Sequence, residues 1–545
     1  MSHTPTHGRT LWLAPLMLAA FVATPTSVSA QTAPSSIAAA IDLEIQKQLD
    51  AQKISASPEA DDAEFHRRAY LDLNGRIPTL EQTNAFLANT QADKRAKLID
   101  YLLDQPEYGR HFATIWRELM VDRTNEMGGV RQGYSWEFIE WAADSFNKGR
   151  GWNSIVSDLL TADGEAKTKP ASTFVLANRM NDFPRPEILV GSTGKLFMGV
   201  AIRCAQCHDH PYVNEWKQDD FWGMAAFFGQ LRDINANQNG DSRNPLFAEH
   251  PNPDEKKEAT YIGKLKRQGM IPPMKGPQIA IPTIMDPTVT LRVVQAKFFL
   301  GEKPALTESD PYRPKLAEWI TSKENPYFAR AAANRWWAHF FAQGIVNPVD
   351  DMGPNHPPTH PELLALLEKE FKASNFDLKH LIRCICNSKT YQRTSRPLPG
   401  NKEDVKLFSH MALKQLSADQ MLDSLFVTIG RPPTTGKNRD QSTAIFATKD
   451  ADDSPTDLSH GIPQFLNQMN SGVAKGDNNV ANRYTTGKSK EEAIKNLYLG
   501  ILSRPPKPKE AEKMLAYVEK AANPQEGYRD LFWVLVNSAE FMFNH

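Results

Sequence analysis

The chain has 545 residues, 63 of them Lys or Arg and 64 Asp or Glu, with 41% hydrophobic residues and four cysteines. The near-neutral balance carries no basic bias of the kind a nucleic-acid binder needs, and four cysteines over this length exclude a disulfide-stapled scaffold. More than one core is expected, because single cores stop growing near roughly 250 to 300 residues.

The N-terminus reads as an export signal. Arg9 precedes the apolar run Leu11 to Ala23, and Ser27-Val28-Ser29-Ala30 offers small residues to a signal peptidase, so residues 1–30 are expected to be cleaved. The run falls short of the roughly 20 residues that span a bilayer, and the absence of a cysteine after it argues against lipid attachment. The expected mature protein is periplasmic or secreted, with no membrane span after cleavage.

Residues 31–38, rich in Ala, Ser and Thr, are expected to form a disordered leader. From 39 to 230 the pattern is helical. Ser57-Pro58 suggests an N-cap with proline at the first helical position, and Thr79-Leu80-Glu81-Gln82 forms a capping box. Helices are also predicted over Leu98–Leu103, Phe112–Met120 and Trp136–Phe146, and Ile188–Val200 is an apolar segment. Residues 231–312 turn to Asn, Pro, Gly and charge, with β-branched stretches at Ile279–Ile284 and Thr288–Val294, and read as a linker or insertion with short strands.

Helical texture returns over 313–545. Asn325-Pro326 opens a helix through Trp336 and Phe340. Thr359-His360-Pro361-Glu362 and Ser417-Ala418-Asp419-Gln420 read as capping boxes, and Asn523-Pro524 starts the last helix. The Thr, Asp, Lys and Asn-rich stretch 431–490 reads as a surface loop. The fold class is mainly α: two helical regions joined by a loop-rich segment with a few short strands.

The densest chemistry is Cys204-Ala205-Gln206-Cys207-His208. Two thiols at this spacing suit covalent attachment of haem c through Cys204 and Cys207, with His208 as the proximal iron ligand. Candidate walls are Leu196, Phe197, Met198 and Val200 on one flank and Trp216, Phe221, Trp222, Met224, Phe227 and Phe228 on the other, although taken alone ordinary helix core is the better account of them. Met274, in the proline-rich stretch Ile271-Pro272-Pro273-Met274-Lys275, is a candidate distal ligand, with His339 and His360 as further choices. His210 stands too close in sequence to His208 to reach the opposite face of the same haem.

Zinc held by Cys204, Cys207, His208 and His210 is the alternative cofactor, although structural sites usually draw on two separated pairs of ligands. A redox dithiol or a simple disulfide are the other readings. Cys384 and Cys386 read as buried free thiols, since positions i and i+2 of a helix point apart. Ser192-Thr193-Gly194-Lys195 fits the serine-lysine pattern, but no S-D-N or K-T-G partner follows. Asp350-Asp351 near His356 and His360 could bind a metal or a sugar.

The flanking residues resemble a known family. Arg67-Arg68-Ala69-Tyr70-Leu71-Asp72-Leu73, Gly75-Arg76-Ile77-Pro78-Thr79, Pro106-Glu107-Tyr108-Gly109 and the motif continued through Asp209-His210-Pro211 resemble the planctomycete cytochrome c-like domain of unknown function. Asn334-Arg335-Trp336-Trp337-Ala338-His339-Phe340-Phe341, His360-Pro361-Glu362-Leu363-Leu364, Leu416 to Gln420 and Arg504-Pro505-Pro506 resemble its usual C-terminal partner domain. The resemblance implies an exported C-x-x-C-H protein and carries haem attachment to Cys204 and Cys207 and iron ligation to His208. It implies no established activity.

The expected function is therefore an exported c-type haem protein in electron transfer, or in oxidation of an extracellular substrate such as a carbohydrate, with an unknown redox partner. The alternatives are a non-catalytic envelope scaffold or binding protein whose motif forms a disulfide or zinc site, and a hydrolase using the Asp350/His360 region.

Overall fold

The structure is a computed structural model that describes residues 32–121, 135–165, 167–180, 183–233, 245–249, 255–433, 435–444 and 478–545. The expected signal segment 1–30 and residues 445–477 lie outside the described residues. The molecule is mainly α, and its strands are short and antiparallel: a three-stranded sheet and three two-stranded pairs. Among the described residues, no helix is long and apolar enough to cross a membrane.

The expected disordered leader gives way at Pro34. Proline at the first helical position opens Pro34–Gln52, and Ile37, Ile41, Ile45 and Leu49, each four residues apart, are buried along one stripe. The helix predicted at Ser57-Pro58 starts instead at Asp62, where Asp61 accepts the Glu64 amide at 2.9 Å. Ser57 is buried, and its hydroxyl donates to the Arg396 carbonyl at 3.1 Å.

This Asp62–Asn74 helix lies at the centre of the molecule, with every residue from Glu64 to Asn74 buried. Phe65, Ala69, Tyr70 and Leu73 join a hydrophobic cluster running from Ile37 to Met411 that draws on both helical regions. Leu71 joins a second cluster, otherwise built mainly from residues 416–542. Two large cores thus meet along one helix. A small third cluster pairs Phe183 with Tyr261 and Leu265.

Buried charge on that helix has specific partners, as a charge withdrawn from water must. Arg67 donates to the carbonyls of Ile501 (3.2 Å), Glu540 (3.3 Å) and Phe541 (2.9 Å). Arg68 donates to those of Tyr391 (2.7 Å), Arg393 (2.8 Å) and His545 (3.2 Å), and pairs with Glu64 at 2.8 Å. Asp72 accepts from Lys414 Nζ (2.5 Å), the Tyr391 hydroxyl (3.0 Å) and the Asn544 amide (2.7 Å). One turn and a half of helix therefore ties together segments more than 300 residues away. Gly75, in the left-handed conformation at φ 70°, ends the helix.

The capping boxes at Thr79 and Ser417 form as predicted, and Asn523 caps the helix that starts at Pro524. At Pro361–Ala373 the cap position is His360, with no side-chain bond, because the Thr359 hydroxyl donates instead to the Ile345 carbonyl at 3.1 Å. Between the two regions, Gln278–Pro282 and Thr290–Gln295 pair as an antiparallel hairpin. They are preceded by a helix, Glu255–Arg267, whose seven charged residues hide its apolar pair Tyr261 and Leu265 from a reading by pattern. The stretch 431–490, read as a surface loop, contains helices at Lys437–Ala444 and Asn478–Thr485 among its described residues.

Candidate functional site

The helix Pro186–Thr193 runs into one π-helical turn, Gly194–Met198, and stops at Gly199 in the left-handed conformation (φ 62°). A Cβ at Gly199 would lie 2.9 Å from Met352 Sδ and 3.1 Å from the Ala331 side chain, so close packing and backbone conformation both require glycine. The chain turns there into a 3-10 helix, Ile202–Gln206, that carries the C-x-x-C-H motif.

Three residues per turn place positions i and i+3 on the same face of a 3-10 helix. Cys204 sits in that helix and Cys207 at its cap, both as exposed free thiols, while Ile202 and Ala205 are buried and anchor the turn. The Gln206 carbonyl accepts from the Trp222 indole at 2.9 Å and from the Gln218 amide at 3.1 Å, fixing the turn on the helix Gln218–Ala225. His208 is exposed, and its Nδ1 lies 2.6 Å from the Asp209 carbonyl. A carbonyl only accepts, so Nδ1 carries the proton and Nε2 keeps its lone pair, the tautomer a metal-ligating histidine requires.

His210 is arranged in the opposite way. Its Nδ1 accepts the amides of Tyr212 (3.3 Å) and Val213 (3.1 Å), and its ring meets Trp216 edge-on at 4.9 Å. Partial burial lowers its pKa, against the pull of Asp351. The nitrogen with a lone pair is thus committed to the loop backbone. Asp209 accepts the Gln218 amide at 3.0 Å and pairs with Lys217 at 3.2 Å.

The second helical region completes this surface. Met352 donates its amide to the Gly199 carbonyl at 2.7 Å, and the Asn355 side chain donates to the Tyr212 carbonyl at 3.2 Å. Asp350 pairs with Arg335 and stands 3.6 Å from Lys195, while Asp351 lies 3.3 Å from His356. Sequence reasoning read 350–356 as a separate candidate site, since nothing in the local pattern signals that it packs beside a motif about 150 residues earlier.

The flanking apolar residues are core. Leu196, Phe197, Met198, Val200, Trp216, Phe221, Trp222, Met224, Phe227 and Phe228 are all buried, so they support the motif from beneath rather than standing as walls around it. Met274 is half-buried in its loop, with its carbonyl held by the Gln230 amide. His339 is half-buried with Nε2 2.9 Å from the Asp72 carbonyl, and desolvation pushes its pKa down to about 3. His360, pushed down to about 4 by burial against the pull of Asp404 and Glu44, bonds the Thr359 hydroxyl.

Among the described residues, no group of three or more His, Cys, Asp or Glu side chains is arranged to hold a metal ion. Cys384 and Cys386 are buried free thiols, as expected, and burial raises both pKa values, that of Cys384 to about 12. The Ser192 hydroxyl bonds Asn178 at 2.5 Å and Lys195 faces Asp350, so the two do not act as a serine-lysine pair.

Residues 40–233 match the family model described as PSCyt2, a protein of unknown function (DUF1549), and residues 312–460 match PSD1, a protein of unknown function (DUF1553). No curated protein and no solved structure matches the chain. The first match contains the buried arginine helix and the C-x-x-C-H turn, and the second contains Asp350 to Asn355 and Lys414, their partners across the core. The chain therefore carries the two-domain pairing of PSCyt2 followed by PSD1.

Proposed function

We propose that the protein is an exported c-type haem carrier that exchanges electrons at an exposed surface. The observation that carries this reading is the motif's geometry: two accessible thiols on one face of a single turn, followed by an exposed histidine whose Nδ1 is bonded to a carbonyl and whose Nε2 keeps its lone pair. The residues fit the group chemically. Cys204 and Cys207 would each add S–H across one vinyl C=C, sulfur to one carbon and hydrogen to the other, with no oxidant consumed, and His208 Nε2 would hold the iron.

Haem supplies a one-electron couple when bound. The chain orients it through the Ile202 and Ala205 anchors and the Gln206 carbonyl. Cys204, Cys207 and His208 stand exposed with the neighbouring aromatics turned into the core, an arrangement that suits exchange with a docked partner better than oxidation of an enclosed substrate. A disulfide is the second reading. Positions i and i+3 of a 3-10 helix lie about 6 Å apart along a rise of roughly 2.0 Å per residue, within the Cα separation of a disulfide.

The test is expression with haem c maturation and export, followed by a reduced pyridine haemochrome spectrum of the denatured polypeptide. Covalent haem in the native chain and its loss in Cys207→Ala are expected. Absence of covalent haem, with maturation verified on a control cytochrome, refutes the proposal, and oxidised Cys204 and Cys207 in the same preparation would then favour the disulfide.

A further inference from the structure

The hairpin formed by Gln278–Pro282 and Thr290–Gln295 is the most conspicuous feature of the surface that the motif does not use. Val294 and Ala296 face inward and are buried, while Arg292 is exposed and pairs with Asp219 at 2.7 Å. Alternation turns Leu291 and Val293 outward, where they are 59% and 42% exposed. The chain reversal between the strands carries Ile284 and Met285, 81% and 94% exposed, with Val289 at 48%, and the exposed Asp286 beside them, whose carboxylate accepts the Thr288 amide and hydroxyl at 2.9 and 2.7 Å. Five apolar side chains thus stand in water on one two-stranded projection. Single exposed apolar residues are ordinary, but a contiguous set at a tip marks a binding surface.

Charge stands beside the tip. A Cβ at Gly269 would lie 3.8 Å from Thr288 Cγ2, so the turn that ends the helix Glu255–Arg267 abuts the hairpin loop. Residues 255–275 hold six basic residues against two acidic ones, in a chain whose formal net charge is −1. Tyr261 and Leu265 fix the helix to Phe183, while Lys256, Lys257, Lys266 and Arg267 are exposed. An apolar tip flanked by basic side chains complements one kind of surface: an anionic headgroup layer over an acyl interior.

A protein partner would be expected to engage aromatic or arginine anchors in a groove. The loop between the strands has none of these residue types, and Arg292 is engaged by Asp219 and Gln218.

We infer that the 283–289 tip inserts into an anionic lipid surface, with the basic face of the Glu255–Arg267 helix against the headgroups, as a peripheral membrane-docking element. This inference stands apart from the haem proposal, since it uses neither Cys204 nor Cys207.

It is tested by co-sedimentation of residues 31–545, the expected mature chain, with vesicles of phosphatidylcholine alone or with about one-third phosphatidylglycerol. Partition onto the anionic vesicles is expected to exceed that onto neutral ones by at least about tenfold, and to fall with added salt. Ile284→Asp with Met285→Asp should lower it about tenfold, and so should Lys266→Glu with Arg267→Glu. All four positions are exposed, so unchanged circular dichroism is expected and serves as the folding control. Failure to bind anionic vesicles overturns the inference, as does binding that the tip substitutions leave unchanged. Capture of an acidic protein without vesicle binding would overturn it in favour of a protein partner.

Discussion

Replacing Asp72 with asparagine should destabilise the chain severely, because it removes the counter-charge of a fully buried lysine. Lys414 Nζ donates to Asp72 at 2.5 Å and to the carbonyls of His339 and Phe340 at 3.0 and 3.1 Å. Burial lowers its pKa, and the Asp72 carboxylate opposes that shift. With Asp72→Asn the ammonium keeps only neutral acceptors in a dry site, and breaking a buried pair from one side costs about 3 to 5 kcal/mol.

The sign follows from the lysine. Its folded pKa lies below the unfolded value, so the unfolded chain binds more protons in the alkaline window between the two, and stability rises with pH there. Losing Asp72 widens that window downward, so the penalty should shrink as pH rises above neutral toward the folded pKa of Lys414 in the parent chain. Removing both charges with Asp72→Asn and Lys414→Met should cost less than the sum of the single changes. The assay is urea denaturation followed by far-ultraviolet circular dichroism for the four proteins of the cycle. A loss below about 1 kcal/mol for Asp72→Asn, the size of a surface pair, or simple additivity in the cycle, would refute the reasoning.

Acid should unfold the protein early. Burial pushes His66, His111 and His339 down to about 3. Below the unfolded value near 6.5 the unfolded chain takes up protons that the folded chain refuses, so stability is full above pH 6.5 and falls toward pH 3. Each histidine removes roughly 1 to 2 kcal/mol per pH unit in that window. Urea midpoints that stay level from pH 7 to about pH 5 would contradict this. Thiol counting offers a second check: in native, reduced, haem-free protein a disulfide reagent should titrate Cys204 and Cys207 rapidly, and Cys384 and Cys386 only after denaturation. Four equally fast thiols would show that the second pair is not buried.

What was legible in the sequence was local. A threonine or serine three residues before glutamine specifies its own cap, so the boxes at Thr79 and Ser417 could be read from four residues each. Ser57 could not, because its hydroxyl is claimed by Arg396, a residue 339 positions away. The start of the first helix was placed about five residues late, since residues 31–38 suggested disorder although Ile37, Ile41, Ile45 and Leu49 keep a helical spacing from Pro34 on. Arginine is a mostly exposed residue type, yet Arg67 and Arg68 are both buried, a placement that their distant carbonyl partners make tolerable. At the site, the motif itself was legible. Its exposure was not, because apolar neighbours look the same in sequence whether they wall a pocket or fill the core beneath a surface turn.

The contacts around that turn give a physical reason why the two matched regions occur together. Trp216 meets His210 edge-on, lies 5.6 Å from Phe299, and sits so close to Gly353 that a Cβ there would stand 3.1 Å from its ring. Its carbonyl accepts the His210 amide at 2.8 Å. The residues after the motif are therefore clamped between Trp216 and the 352–355 segment, while Gly199, just before the motif, is pinned by the Met352 amide and side chain. A PSCyt2 region alone would leave Gly199, Tyr212 and Trp216 without their partners in 352–355, and a PSD1 region alone would expose Met352 and Ala331 where they pack on Gly199, so each supplies contacts that hold the segments on either side of the motif.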